Sequence, residues 1–261
     1  MCIKIFTLGS ARDADEEYGM TNGLRRGVSR LFNDREKLFL LALDHAQMGV
    51  MPGLERSGEL MDLLADSGLS GYILNVGMAG RMAEPKLSRK KLVLRSSSGG
   101  SQLGTEYAAA HSNHVSPETV LALGADAVLM MAVLGGADYR SLQAIGEDID
   151  AFHQLSIPVI VEILSADFSK TNSFDVQYHG ARIAAEMGAD VVKAFYVEGF
   201  DKVTSCCPVP VILAGGPKDR DIIDVARQAL AEGARGFAFG RNIFQAKDPA
   251  AMVAGLASLL G

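Results

Sequence analysis

The sequence predicts an α/β chain closed into a single (β/α)₈ barrel, a TIM barrel, and three observations point that way. Its 261 residues are near the length of one such barrel, enough to bury most of the surface the unfolded chain exposes. From Leu38 onward, short β-rich apolar runs alternate with helical stretches, which implies βαβ units and a parallel sheet. A weak repeat punctuates the units: Gly124-Ala125-Asp126, Gly188-Ala189-Asp190 and Gly233-Ala234-Arg235 each follow a helical pattern and precede a strand.

In chain order the expected strands run from Leu38 to Leu43, Tyr72 to Val76, Leu92 to Arg95, Ala127 to Met131, Val159 to Ile163, Val191 to Phe195, Val211 to Ala214 and Gly236 to Phe239. The glycines of the repeat, with Gly68 in the same place before the second strand, suit helix ends that need a residue tolerant of positive φ. Pro158 and Pro210 open the fifth and seventh strands, where a missing N–H is best tolerated. Residues 1–36 read as an N-terminal extension capping the barrel, and residues 37–261 as the (β/α)₈ catalytic domain. Pattern alone leaves a doubly wound open sheet as the alternative.

Composition narrows the function. A net charge of −6 argues against a nucleic-acid surface, and no apolar run reaches transmembrane length. The N-terminus lacks a charged-then-apolar signal pattern, so a cytoplasmic protein with a small-molecule partner is expected. Cys2, Cys206 and Cys207 offer neither a disulfide framework nor a spaced metal-ligand set and read as reduced and structural. His111 and His114 have no cysteine or carboxylate at matching spacing and read as surface residues, so no metal is expected. The chain has no GxGxxG after its first strand and no P-loop, so no nucleotide cofactor is indicated. Met130 and Met131 read as core filler.

The sharpest anomaly is Lys193, inside the run Val191-Val192-Lys193-Ala194-Phe195. Neither face of a barrel strand is freely solvated, and burial favours the neutral amine, the form that attacks a carbonyl. The alternatives are a structural ion pair with a buried carboxylate, or a side chain reaching the barrel mouth. Glu162, in the apolar run Val159 to Ile163, is either an acid/base or that ion-pair partner. Asp44-His45 ends the first strand, at the face where such barrels carry their active sites, and is placed to trade protons. Its structural alternative is a helix-capping aspartate with a histidine packed beside it.

Two glycine-rich strand ends follow, Gly215-Gly216 after the seventh and Gly240-Arg241 after the eighth. Loops at these places commonly seat a phosphate on backbone N–H groups, and Arg241 adds a charge. The loop from Ser96 to Ser101, with Ser97 near its start, either binds substrate hydroxyls or is a flexible linker.

Several stretches resemble one family: ARIAAEMGADVVKAFYV from Ala181, PVPVILAGGPK from Pro208, GRNIFQ from Gly240 and LALDH from Leu41. Together they are similar to the class I, Schiff-base aldolases of the archaeal fructose-bisphosphate and deoxyribose-phosphate type, a family that includes a thiolase acting on a phosphorylated diketone. The resemblance implies a (β/α)₈ barrel, no metal or other cofactor, a homo-oligomer and a small phosphorylated keto-sugar-like substrate. It places the Schiff-base lysine at Lys193, the strand-one aspartate at Asp44, and the phosphate loops at Gly215, Gly216, Gly240 and Arg241. One position departs: the aldolases carry a proton-donating tyrosine near the end of strand five, and this chain reads Val161-Glu162-Ile163-Leu164-Ser165. The expected function is therefore class I aldolase-type chemistry on a C–C bond of a phosphorylated keto substrate. Thiolase-like acyl transfer from a phosphorylated diketone to coenzyme A, and a non-catalytic sugar-phosphate-binding barrel, stand beside it.

Overall fold

The computed structural model of the protein describes residues 21–104, 111–216 and 220–261. Eight parallel strands alternate with helices and close on themselves: β1 (Leu38–Ala42), β2 (Gly71–Leu74), β3 (Lys91–Arg95), β4 (Ala127–Leu134), β5 (Val159–Ser165), β6 (Val191–Ala194), β7 (Val211–Ala214) and β8 (Gly236–Phe239). β1 pairs with both β2 and β8, which closes the barrel and removes the open-sheet alternative.

All eight expected strands are present, with shifted ends. β4 runs on to Leu134 and β5 to Ser165, while Val76 belongs to a short helix and Phe195 lies beyond β6. These boundaries are set by where neighbouring strands stop pairing: the β4–β5 ladder continues to Leu134 opposite Ser165, whereas β6 pairs with β5 only from Val191 to Lys193.

Period-two alternation divides the strands cleanly. Leu38, Leu40, Val93, Leu129, Ile160, Val191 and Ile212 point inward and form one buried cluster inside the barrel. Their neighbours Phe39, Leu41, Val161, Ile163, Val192 and Phe237 point outward into a larger cluster with the helices. The helices α5 (Tyr139–Gln154), α6 (Phe174–Glu186) and α8 (Ile222–Ala231) contribute Phe152, Ala181, Ala184 and Ala226 to that outer core.

The interior is closed from below by α1 (Asn22–Leu31), whose Leu31 is fully buried within the interior cluster. Thr21 caps this helix by accepting from the Leu24 N–H at 3.2 Å. Gly27 lets it lie close to the entry of β5, because a Cβ there would stand 2.9 Å from Pro158. The first twenty residues of the expected extension lie outside the described residues.

Gly124, Gly188 and Gly233 do end helices with φ of 65°, 105° and 100°. Gly68 does not share that conformation. A Cβ at Gly68 would meet the Ala257 Cβ at 2.6 Å, so its role is close packing against the C-terminal helix α10 (Pro249–Ala257). After α5 the left-handed position falls on Ser156, with φ of 59°.

Candidate active site

The same inward faces that are apolar at mid-barrel become charged toward the C-terminal ends of the strands. Lys193 follows Val191, Glu162 follows Ile160 and Arg95 follows Val93, each two residues on and therefore on the inner face. Lys193 and Glu162 are directly opposite each other in the β5–β6 register, and the lysine Nζ lies 2.8 Å from Glu162 Oε1. Both are buried, at 4% and 5% exposure. The lysine is thus neither isolated nor reaching into solvent; its charge is balanced by a carboxylate on the adjoining strand.

Asp44 stands just past β1, at the start of a short 3₁₀ turn, Asp44–Met48. Its Oδ2 accepts from Arg95 Nη1 at 2.6 Å, and both residues are buried, at 3% exposure each. Burial alone would raise the Asp44 pKa, but the positive charge of Arg95 first, with His45 and Lys193 adding to it, outweighs burial and holds the carboxyl below its ordinary value. Asp44 is therefore a fixed anion and a hydrogen-bond acceptor, not a proton donor.

Arg95 is held on its other sides as well. Its Nε donates to the Ser97 carbonyl at 2.6 Å, and its Nη2 lies 2.8 Å from Met131 Sδ. Met131 is consequently not plain core filler, whereas Met130 is. The Ser97 Oγ accepts from the Met131 N–H at 3.1 Å, and Ser97–Ser98 pair antiparallel with Ser112–Asn113. The start of the serine loop is thus an ordered ladder rather than a linker.

His45 packs edge-on against Phe244 at 5.6 Å, with Nδ1 3.7 Å from Asp44 Oδ1. Burial lowers its pKa, against the upward pull of Asp44. Gly240 is required by this packing: a Cβ there would meet His45 Cε1 at 2.6 Å and the Ala42 carbonyl at 3.0 Å. Gly215 similarly approaches Asn242, whose Oδ1 would lie 2.5 Å from an added Cβ, while Gly216 has open space. Arg241 is exposed at the first position of α9 (Arg241–Phe244) and contributes to the positive field felt by His45.

Three groups at this mouth escaped the sequence reading. Arg95 sat at the end of an expected strand, where a charged residue is ordinarily unremarked; its burial is a tertiary fact. Asn75, just after β2, donates to the Asp44 carbonyl at 2.8 Å. His111 is the clearest correction. It is half-buried rather than on the surface, close enough to Arg95 and Glu162 for their charges to act on it, because the ladder at Ser112 folds its segment over β3. His114 is exposed as expected.

Among the described residues no group of three or more His, Cys, Asp and Glu is placed to hold a metal ion. Cys206 and Cys207 are free thiols, and burial pushes Cys207 up to about 11, far from a reactive thiolate. Two surface recesses, one beside Arg89–Leu92 and one beside Leu134–Gly136, contain neither Lys193 nor Asp44. The candidate site is defined by buried charge.

A closed barrel with an ion-paired lysine buried at its C-terminal mouth defines a class: (β/α)₈ barrels with a charged site inside their strand ends. Residues 38–246 match the model of the DeoC/LacD family aldolases, and the chain belongs to that family. It is 35% identical over 243 residues to the 3-hydroxy-5-phosphonooxypentane-2,4-dione thiolase of Enterobacter sp. (strain 638), covering 88% of this chain and 79% of the relative. The Klebsiella pneumoniae protein of the same name is 34% identical with the same coverage. Among solved structures, an archaeal fructose 1,6-bisphosphate aldolase superposes with a TM-score of 0.81 at 25% identity, covering 91% of this chain and 98% of that one. An archaeal fructose-1,6-bisphosphate aldolase with its catalytic lysine bound to the carbinolamine intermediate gives 0.78, also at 25% identity, covering 91% and 99%. The protein is a class I aldolase-type enzyme, which removes the reading of a non-catalytic binding barrel.

Proposed function

We propose that Lys193 attacks the keto group of a small phosphorylated substrate and forms the Schiff base through which the adjacent C–C bond is broken or made. The observation that carries this reading is the Lys193–Glu162 pair, 2.8 Å apart and buried at the mouth. The ammonium passes a proton to Glu162, and the free amine adds to the carbonyl carbon to give a carbinolamine. Loss of water leaves an iminium. As the hydroxyl proton on the neighbouring carbon passes to Asp44 or His45, that carbon leaves as a carbonyl and the electron pair of the broken C–C bond enters the iminium, giving an enamine. Asp44, kept anionic by Arg95, accepts a hydrogen bond from a substrate hydroxyl, with His45 beside it. Arg241 and the backbone of Gly215, Gly216 and Gly240 seat the phosphate, and Ser97 serves the substrate indirectly by holding Arg95.

Two observations favour acyl transfer from a phosphorylated diketone to coenzyme A over fructose-bisphosphate cleavage. Relatives named as thiolases match at 34–35% identity where the solved aldolases match at 25%. The end of β5, where the resemblance puts the aldolases' phenol, reads Val161-Glu162-Ile163-Leu164-Ser165 and carries no tyrosine, with Leu164 two residues beyond Glu162 on the inner face. We further propose a cytoplasmic homo-oligomer in which residues 1–36 cap the end of the barrel opposite the site. The placement of α1 supports the cap, and no helix of the described residues is long and apolar enough to cross a membrane.

The test is reductive trapping. Incubation with dihydroxyacetone phosphate and borohydride, followed by peptide mass spectrometry, is expected to label Lys193; labelling at Lys91 or Lys170 instead would overturn the assignment. Fructose 1,6-bisphosphate cleavage by the wild type is expected to be weak and to rise in Leu164→Tyr. Robust wild-type cleavage, at tens per second, would return the reading to an ordinary aldolase.

A further inference from the structure

His111 lies where the chain returns from the loop after β3. Its neighbour Ser112 pairs with Ser98, and the His114 N–H donates to the Ser96 carbonyl at 2.9 Å, which clamps the segment over the end of β3. The ring is half-buried, and its Nδ1 is buried with no hydrogen-bond partner. Asn75 Oδ1, on an element ending at this mouth, is likewise buried with no hydrogen-bond partner, and Asp44 Oδ1 and His45 Nδ1 have none beyond their 3.7 Å contact with each other. Buried polar atoms are nearly always hydrogen-bonded, so this cluster on the β1–β3 side of one mouth marks where a ligand's polar groups belong.

The other charged groups buried at the mouth are engaged with one another or packed in place. Glu162 is paired with Lys193; Arg95 spends Nε, Nη1 and Nη2 on Ser97, Asp44 and Met131. Asp44 is a fixed anion, and His45 is wedged between Phe244 and Gly240. His111 has no ion-pair partner among the described residues.

We propose that His111 is a catalytic residue that hydrogen-bonds the substrate oxygen on the carbon released or attacked next to the imine, across the mouth from Lys193. Burial, with Arg95 nearby and against the pull of Glu162, lowers its pKa to about 4. At neutral pH the ring is therefore uncharged and offers one donor N–H and one acceptor nitrogen, the same pair of functions as a phenol. It supplies them on a mouth where position 164 is a leucine.

This inference rests on the Schiff-base reading, and the experiment separates the two. Wild type, His111→Phe and His111→Gln are compared for borohydride trapping with dihydroxyacetone phosphate and for turnover of fructose 1,6-bisphosphate and of the phosphorylated diketone with coenzyme A. His111→Phe is expected to be trapped at Lys193 like the wild type while kcat falls about a hundredfold, with KM changed less than about threefold. His111→Gln, which keeps a donor and an acceptor, recovers part of that loss; His111→Leu replaces the Phe variant if its melting curve shows it unfolded. A kcat within about threefold of wild type in a folded variant overturns the proposal, as does parallel loss of trapping and turnover. A wild type that is not trapped at Lys193 overturns the Schiff-base reading and this inference with it.

Discussion

Within the barrel, one residue pair along each of several strands separates two environments. Val191, Ile160 and Val93 belong to a sealed apolar layer that Leu31 closes from below. Two residues further on, Lys193, Glu162 and Arg95 occupy the same inward face and are nearly as buried. The backbone geometry hardly differs between the layers; what differs is pairing. In the upper layer Lys193 meets Glu162 and Arg95 meets Asp44, whereas the lower layer is a cluster of apolar side chains. A lysine is tolerated in this interior only at a height where the neighbouring strand supplies a carboxylate in register.

Exchanging the layers' chemistry tests that contrast, and the largest effect is expected at the nucleophile. Lys193→Met should lower turnover on the order of 10⁴-fold or more and, by leaving Glu162 without a counter-ion, destabilise the fold by about 3–5 kcal/mol at neutral pH. The double variant Lys193→Met, Glu162→Leu should regain stability in urea unfolding while staying inactive. If the double variant is less stable than the single one, the pair contributes more than charge compensation.

The converse change, Val191→Lys, places an unpaired charge in the lower layer. A loss of about 4 kcal/mol or more is expected by chemical denaturation, enough to abolish a marginal fold. A well-folded variant with near wild-type stability would show that the lower layer admits water.

Arg95→Met should cost about 3 kcal/mol at neutral pH by removing the main counter-charge of Asp44, and the pH dependence gives its sign. In the wild type the folded-state pKa of Asp44 is lowered, so its stabilising contribution is present above the ordinary carboxylate value and is lost as pH falls through the folded pKa. Without Arg95, burial dominates and that contribution shrinks. The stability gap between wild type and variant should therefore be widest near neutrality and close in acid; a gap independent of pH would assign the loss to packing.

The smallest effect is expected at Gly240→Ala, where the added methyl stands 2.6 Å from His45 Cε1. About 1–2 kcal/mol of overpacking strain should appear in the melting curve, with kcat reduced as His45 is displaced. Unchanged kcat would remove His45 from the reacting part of the mouth.

Lys193, Glu162 and Asp44 were legible because each is a charge in or directly after an apolar strand run. Arg95 was less so, since strands commonly end on a charged residue whether or not it is buried. His111 was misread as a surface residue because its place depends on the Ser97–Ser98 and Ser112–Asn113 ladder, a non-local pairing of residues with no marked strand pattern. Gly68 was misread for the opposite reason: its spacing matched the helix-ending glycines, but its contact is with Ala257 at the other end of the chain.

By itself the sequence determined the number and order of the strands and which of them carry charge, because alternation, proline and glycine punctuation and apolar runs are properties of neighbouring residues. Only the tertiary structure decided that Glu162 is the partner of Lys193, that Arg95 grips Asp44, and that the segment of His111 folds in where Arg95 and Glu162 act on its ring. Those contacts follow from the register between strands and from the closure of the barrel, which bring together residues far apart in the chain and are written in no local pattern.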